Sequence, residues 1–167
     1  MKATLSLKII QEKVKTCKKC DLCDTRNNAV PGKGNQNADI IFIGEAPGKN
    51  EDLYGEPFIG TAGKRLDDAL KNAGLTRNSV YITNIVKCRP PENRIPNDVE
   101  KSMCNEYLKD EIAIINPKII CLLEIHRFIQ FWAVRKFQRI MENLFLKITV
   151  CILSHFILPQ QFTTKNL

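Results

Sequence analysis

Three short apolar runs, separated by stretches with helical spacing, constrain this chain more than any other feature of it. Asp39 to Ile43 is an apolar run ending in Gly44, and it reads as a buried strand. Thr61 to Ala73 places Ala62, Leu66, Ala69, Leu70 and Ala73 at helical intervals, with Gly74 at a natural stop. Val80 to Val86 is a second β-rich run, Asn97 to Ile115 reads as a helix ended by Pro117, and Lys118 to Leu123 is a third apolar strand. Strand, helix, strand, helix, strand implies an α/β fold: a three-layer α/β/α domain with a short parallel sheet and helices on both faces. Ligands in such sheets bind at the carboxyl ends of the strands.

The alternation stops at a seam. All 8 glycines lie at or before Gly74, Asp is absent after Asp110, and the single Trp lies beyond Leu123 with most of the 8 Phe. A compact α/β domain needs glycines at its later turns, so residues 124–167 read as an aberrant basic and aromatic tail rather than a domain. The expected organisation is a domain over 1–123, incomplete, with its last strand missing or non-native. Ile125, Phe128, Ile129 and Trp132 share one helical face among basic residues, the pattern of a membrane-surface or partner-binding helix, and this is the competing reading of the tail.

A net charge of +7 with pI near 9.1 suits a polyanionic partner, because Lys and Arg neutralise phosphates and release counterions. The start, MKATLSLKII, does not read as a secretion signal, and no stretch approaches the roughly 18 unbroken apolar residues of a membrane span. A cytoplasmic, monomeric protein is expected. In that compartment 7 cysteines point to a metal or redox site rather than to disulfides. Cys17 and Cys20 form a C-x-x-C pair that grips a metal centre from one side, and the distant Cys88 and Cys104 can close it. Four thiolates suit zinc or an iron–sulfur cube, and spacing does not choose between them. Cys23 extends the run and competes as a ligand. Cys121 lies inside an apolar strand and reads as core.

The first strand runs into Gly44-Glu45-Ala46-Pro47-Gly48, where glycines let a ligand approach the backbone. Glu51 and Asp52 follow and read as surface acids. Phe58, between Pro57 and Gly60, is either a stacking platform for a flat ligand or a plug of the core. Asn84 is a polar residue in a β run. Its amide offers a donor and an acceptor side by side, matching one edge of a pyrimidine, or else it satisfies local backbone. Arg89 to Arg94 form a rigid basic loop suited to phosphates.

Taken in series, CKKCDLC, VPGKG, GEAPGKNED, GEPFIGTAGKRL, VYITNIVKCRPPENRIP and the Cys104 helix resemble the family 4, iron–sulfur branch of the uracil-DNA glycosylases over residues 10 to 123. The resemblance implies a DNA-repair hydrolase that cleaves the N-glycosidic bond of uracil flipped out of DNA. It implies a [4Fe–4S] cluster on Cys17, Cys20, Cys88 and Cys104 with a structural role, leaving Cys23 outside the ligand set. Gly44, Glu45 and Ala46 would lie against uracil, with Glu45 aligning water or polarising the reacting centre. Phe58 would stack on the base, Asn84 would read its edge, and Arg89 and Arg94 are candidate DNA contacts.

The family's C-terminal His-Pro-Ala motif, whose His meets the departing uracil, is not in this sequence: no His-Pro pair exists, and His126 and His155 stand in other contexts. Losing one donor to a developing anion typically costs on the order of 10²- to 10³-fold in rate. A non-catalytic iron–sulfur nucleic-acid-binding module, or a defective pseudo-enzyme, are the alternative expectations. A one-base shift after Leu123 accounts for the seam. Read one base earlier, codons for the stretch His155 to Phe162 admit Phe-His-Pro-Ala-Ala-Ala-Val. The coding strand is expected to spell His-Pro-Ala there, and a nucleotide sequence that does not would refute the frameshift.

Overall fold

The computed structural model describes residues 6–123 and, as backbone, the strand at 149–153. The sheet is built around β2 (Ile40–Gly44), which pairs in parallel with β3 (Tyr81–Asn84) on one side and with β4 (Ile119–Leu123) on the other. The β2–β3 register sets Gly44 opposite Asn84, and the β2–β4 register sets Phe42 opposite Cys121.

The sheet is mixed rather than wholly parallel. A short strand, β1 (Lys33–Gly34), runs antiparallel along the free edge of β3. Gly34 makes this possible at φ +135°, since a Cβ there would run into the Val80 carbonyl. At the opposite edge, where the last strand was expected to be missing or non-native, the backbone forms β5 (Thr149–Leu153). It is parallel to β4, with Leu123 opposite Leu153. Its sequence, TVCIL, carries the β-branched residues that favour a pleated backbone.

Side chains alternate across the strands and divide the core. Ile41, Ile43, Ile120 and Leu122 face one side, where they pack with Leu7 of α1 (Leu7–Lys15) and with Leu108, Ile112 and Ile115 of α5 (Asp98–Ile115). Phe42, Ile82, Cys121 and Leu123 face the other, against Leu66 and Leu70 of α4 (Thr61–Asn72). Two short helices, α2 (Leu22–Thr25) and α3 (Lys49–Tyr54), complete the described elements. The result is helix, sheet and helix in three layers. Cys121 is core, as its place in an apolar run implies.

Local signals set the long helix. Asn97 Oδ1 accepts from the Glu100 N–H at 2.9 Å while Glu100 Oε2 accepts from the Asn97 N–H at 2.8 Å, a reciprocal cap. At the far end Asn116 takes the left-handed conformation at φ +47°, and Pro117 prevents continuation. Among the described residues no helix is long and apolar enough to cross a membrane.

A buried ion pair ties α5 to the sheet. Lys87 Nζ lies 2.6 Å from Glu111 Oε2, and both side chains are excluded from solvent. Lys87 also donates to Thr83 Oγ1 and to the Asn84 carbonyl, while Glu111 accepts from the Gly32 N–H, the Tyr81 hydroxyl and the Thr83 hydroxyl. Removing one member leaves an uncompensated buried charge, which typically costs about 3–5 kcal/mol, whereas replacing both with apolar groups is often near neutral. In urea titrations Glu111→Leu is therefore expected to lose about that much stability, and Lys87→Met with Glu111→Leu to recover most of it.

Candidate active site and cysteine cluster

The parallel register brings Gly44 and Asn84 side by side at the carboxyl ends of β2 and β3. A cleft of about 350 Å³ opens there, lined by Glu45, Ala46, Pro47, Phe58, Asn84 and Arg94 among others. The strands stay joined beyond their ladder: the Ile85 N–H donates to the Gly44 carbonyl and the Val86 N–H to the Glu45 carbonyl, which fixes the backbone that carries Glu45. A Cβ on Gly44 would fall 2.5 Å from both Asn84 Oδ1 and Phe58 Cζ. Gly44 is thus the only residue that leaves the amide and the ring their places.

Asn84 is 1% exposed, and its Oδ1 has no hydrogen-bond partner among the described residues. Leaving such a group unsatisfied costs about 1–3 kcal/mol. Asn84 lines the cleft, so its Oδ1 is not satisfied by backbone among the described residues. Phe58 plugs the core, as one reading of its sequence context has it. Its ring packs with Phe42, Leu66 and Leu70 in the core, and it also borders the cleft.

Phe58 sits at φ +53°, a left-handed conformation unusual for a bulky residue. Its support was not visible in the sequence. Arg77 donates to the Phe58 carbonyl, to the Pro57 carbonyl at 3.2 Å and to the Gly63 carbonyl at 3.4 Å, while its Nε meets Asp67 Oδ1 at 2.6 Å. Gly63 carries no Cβ where one would collide with the Phe58 carbonyl.

Glu51 and Asp52, read from the sequence as surface acids, are buried. Glu51 accepts from the Ile59 N–H at 2.9 Å, the Gly60 N–H at 2.7 Å and the Gly48 N–H at 3.1 Å, and so stitches the loop after β2 to the loop bearing Phe58. The available signal was a Glu three residues past Gly48, the spacing of a helix cap. Asp52 accepts from the backbone N–H groups of Asn27 and Asn28 at 2.9 and 3.3 Å, anchoring the segment ahead of β1.

On the α1/α5 side of the sheet, Cys17, Cys20, Cys88 and Cys104 collect around one apolar cluster with Ile10, Val14, Leu22, Val86 and Tyr107. Cys17 follows the end of α1, Cys104 lies within α5, and Cys88 follows β3. Burial pushes the Cys88 thiol up to about 11, against the lowering effect of Arg26, and burial likewise raises Cys20 and Cys104. Metal binding must remove those protons. Arg26 Nη1 donates to Cys88 Sγ at 2.9 Å and the Lys87 N–H to Cys104 Sγ at 3.5 Å, both suited to sulfurs carrying negative charge. Cys23 lies outside this cluster, its thiol directed at Asp24 Oδ1 at 3.3 Å. Among the described residues no three His, Cys, Asp or Glu side chains converge as a single-ion site. The donor set, four thiols gathered around one apolar cluster, suits a group held by thiolates.

Arg89 and Arg94 lie on the loop over the cleft. Arg89 Nε donates to Asn93 Oδ1 at 2.7 Å. Arg94 forks onto Glu100 at 2.6 and 2.9 Å while remaining 45% exposed, and that hydrogen bond holds the Glu100 carboxyl below its usual range. Glu92 and Asn93 between them adopt φ +54° and +56°, so the loop is a shaped element.

Arg77→Ala is expected to lower unfolding free energy by about 2 kcal/mol, read by urea titration, because the strained Phe58 segment loses its charged donor. Arg77→Lys should restore only part of this, since an ammonium cannot fork across three carbonyls.

Comparison with known proteins agrees with this arrangement. A family model described as the Uracil DNA glycosylase superfamily matches residues 31–158, a span that crosses Leu123. The type-4 uracil-DNA glycosylase of Archaeoglobus fulgidus is 51% identical over 118 residues, covering 71% of this chain and 59% of that protein. That of Sulfurisphaera tokodaii is 54% identical over 122 residues, covering 72% and 56%. That of Thermotoga maritima is 46% identical over 117 residues, covering 70% and 61%. The chain therefore spans between 56% and 61% of the length of these curated relatives. With a cleft at the ends of β2 and β3 and a family match over most of its residues, the chain belongs to the uracil DNA glycosylase superfamily.

Proposed function

We propose that this chain is a uracil-DNA glycosylase of base-excision repair, acting on uracil-containing DNA as a cytoplasmic monomer. The observation that carries the proposal is the Asn84 amide, buried at the cleft floor with an unpartnered oxygen among the described residues. Its donor and acceptor match the paired acceptor and donor on the edge of uracil. The flipped base would lie on the Phe58 ring, close to the backbone at Gly44 and Ala46. Glu45, which lines the cleft, would align the attacking water. Water adds to the sugar carbon and gives up a proton to solvent, the N-glycosidic bond breaks, and its electron pair leaves with uracil as an anion. The site must therefore stabilise negative charge on the base. Arg94, which lines the cleft, and Arg89 on the same loop are candidate phosphate contacts.

Cys17, Cys20, Cys88 and Cys104 would hold a [4Fe–4S] cluster, which when bound supplies cross-links between α1, the segment after β3 and α5 rather than redox chemistry. The same framework without bond cleavage, an iron–sulfur module that binds nucleic acid, is the second reading. It is favoured by one feature, the missing His-Pro-Ala motif; His126 and His155 lie outside the described residues.

Incubation with a uracil-containing oligonucleotide, followed by alkaline cleavage and a gel, tests both. The chain is run beside a version restored by one base at codon 123. Cleavage by the restored version alone is the expected result. Cleavage by the chain itself would show that the motif is dispensable, and cleavage by neither would favour the binding module. In whichever form cuts, Gly44→Ala should abolish excision, because its Cβ occupies the space between Asn84 and Phe58.

A further inference from the structure

Arg26 follows α2, far from Cys88 in sequence, yet its guanidinium joins the two halves of the cysteine cluster. Nη1 donates to Cys88 Sγ at 2.9 Å, and Nη2 donates to the Cys17 carbonyl at 2.8 Å and the Lys15 carbonyl at 3.1 Å. The Lys15 carbonyl is the last of α1, where helix acceptors lack intrahelical donors and carry partial negative charge, and Cys17 lies just past the Thr16 cap. Among the described residues no carboxylate pairs with Arg26. The titratable side chains around it are cysteines, with Cys17 and Cys23 near Cys88. A guanidinium stays charged at every accessible pH. A half-buried cation aimed at sulfur is accounted for if that sulfur is a thiolate.

We infer that Arg26 is a positioning residue for the iron–sulfur cluster: it holds the Cys88 sulfur and the Cys17 backbone in ligating geometry, and its charge raises the cluster's reduction potential and slows oxidative loss. This rests on the cluster assignment made above. The direction follows from charge. Four thiolates leave the cluster net negative, so a neighbouring cation favours the reduced form and opposes removal of an electron. The geometric and charge roles separate, because glutamine keeps an N–H donor without charge and lysine keeps the charge without the fork.

The full chain is reconstituted anaerobically with iron and sulfide as wild type, Arg26→Gln and Arg26→Lys. Iron content, midpoint potential and the rate of bleaching by ferricyanide are measured, with circular dichroism as the control for folding. Arg26→Gln should have a lower potential and bleach about 10-fold faster, the usual scale for losing an outer partner of a metal ligand. Arg26→Lys should hold a potential near wild type yet still bleach faster. Wild-type potential and bleaching rate in both variants would overturn the inference. If Arg26→Gln fails to fold, Arg26→Lys decides alone, and a wild-type bleaching rate in it overturns the positioning role. A wild-type chain that retains no iron overturns the cluster assignment itself, and the inference with it.

Discussion

Lys87 and Glu111 make the contact on which both halves of the site depend. The ammonium holds the carbonyl of Asn84, and the backbone N–H of the same lysine faces the sulfur of Cys104. Cys88 is the next residue. One buried cation thus sits between the amide that would read the base and the cysteines that would hold the cluster. Glu111, its partner on α5, reaches across to Tyr81, Thr83 and Gly32. Burial and this carboxylate together push the Tyr81 hydroxyl well above its ordinary range, keeping it a donor. A shift of α5 would move the cysteine it carries and the end of β3 together.

The other wall of the cleft is held by a different device. Phe58 is kept in a left-handed conformation by a guanidinium on its carbonyl and by the absence of a side chain at Gly63. Glu51 locks the adjacent N–H groups. Strain of this kind persists only where surrounding contacts over-determine it. Here they come from α3, α4 and the turn after α4. The ring is therefore set in place by the protein alone, and in the proposed function stacking would not have to be preceded by ordering of the loop.

The parts of this fold that were legible in the sequence were those written in periodicity. The runs at 39–43, 80–86 and 118–123 became β2, β3 and β4, and Asn97 and Gly74 mark helix boundaries as their chemistry implies. Elements without an apolar pattern were invisible. Lys33-Gly34 pairs at the sheet edge through backbone alone, and α3 buries two acids, inverting the rule that charge faces water. Glu51 and Asp52 are inside because loop N–H groups need acceptors, a demand set by three-dimensional closure. Arg26 and Arg77 were missed for the same reason. Each acts on a residue 62 or 19 positions away, and no local spacing records such a contact. Arg94 was legible as a basic group over the site, but its fork on Glu100 was not.

Recognition and bond cleavage place different demands on this framework. In the proposed reading Gly44, Phe58 and Asn84 would act on the ground state, selecting a flat base by shape and by its hydrogen-bonding edge, and all three precede Leu123. A donor to the departing uracil acts on charge that exists only as the bond breaks, so it lowers the barrier without tightening initial binding. A chain that keeps the first set and lacks the second would hold uracil and release it unchanged. β5 ends beside Leu123 at the carboxyl edge of the sheet, the edge on which the cleft opens. On the proposed function, the identity of the residues coded beyond that strand would decide between cleavage and binding alone.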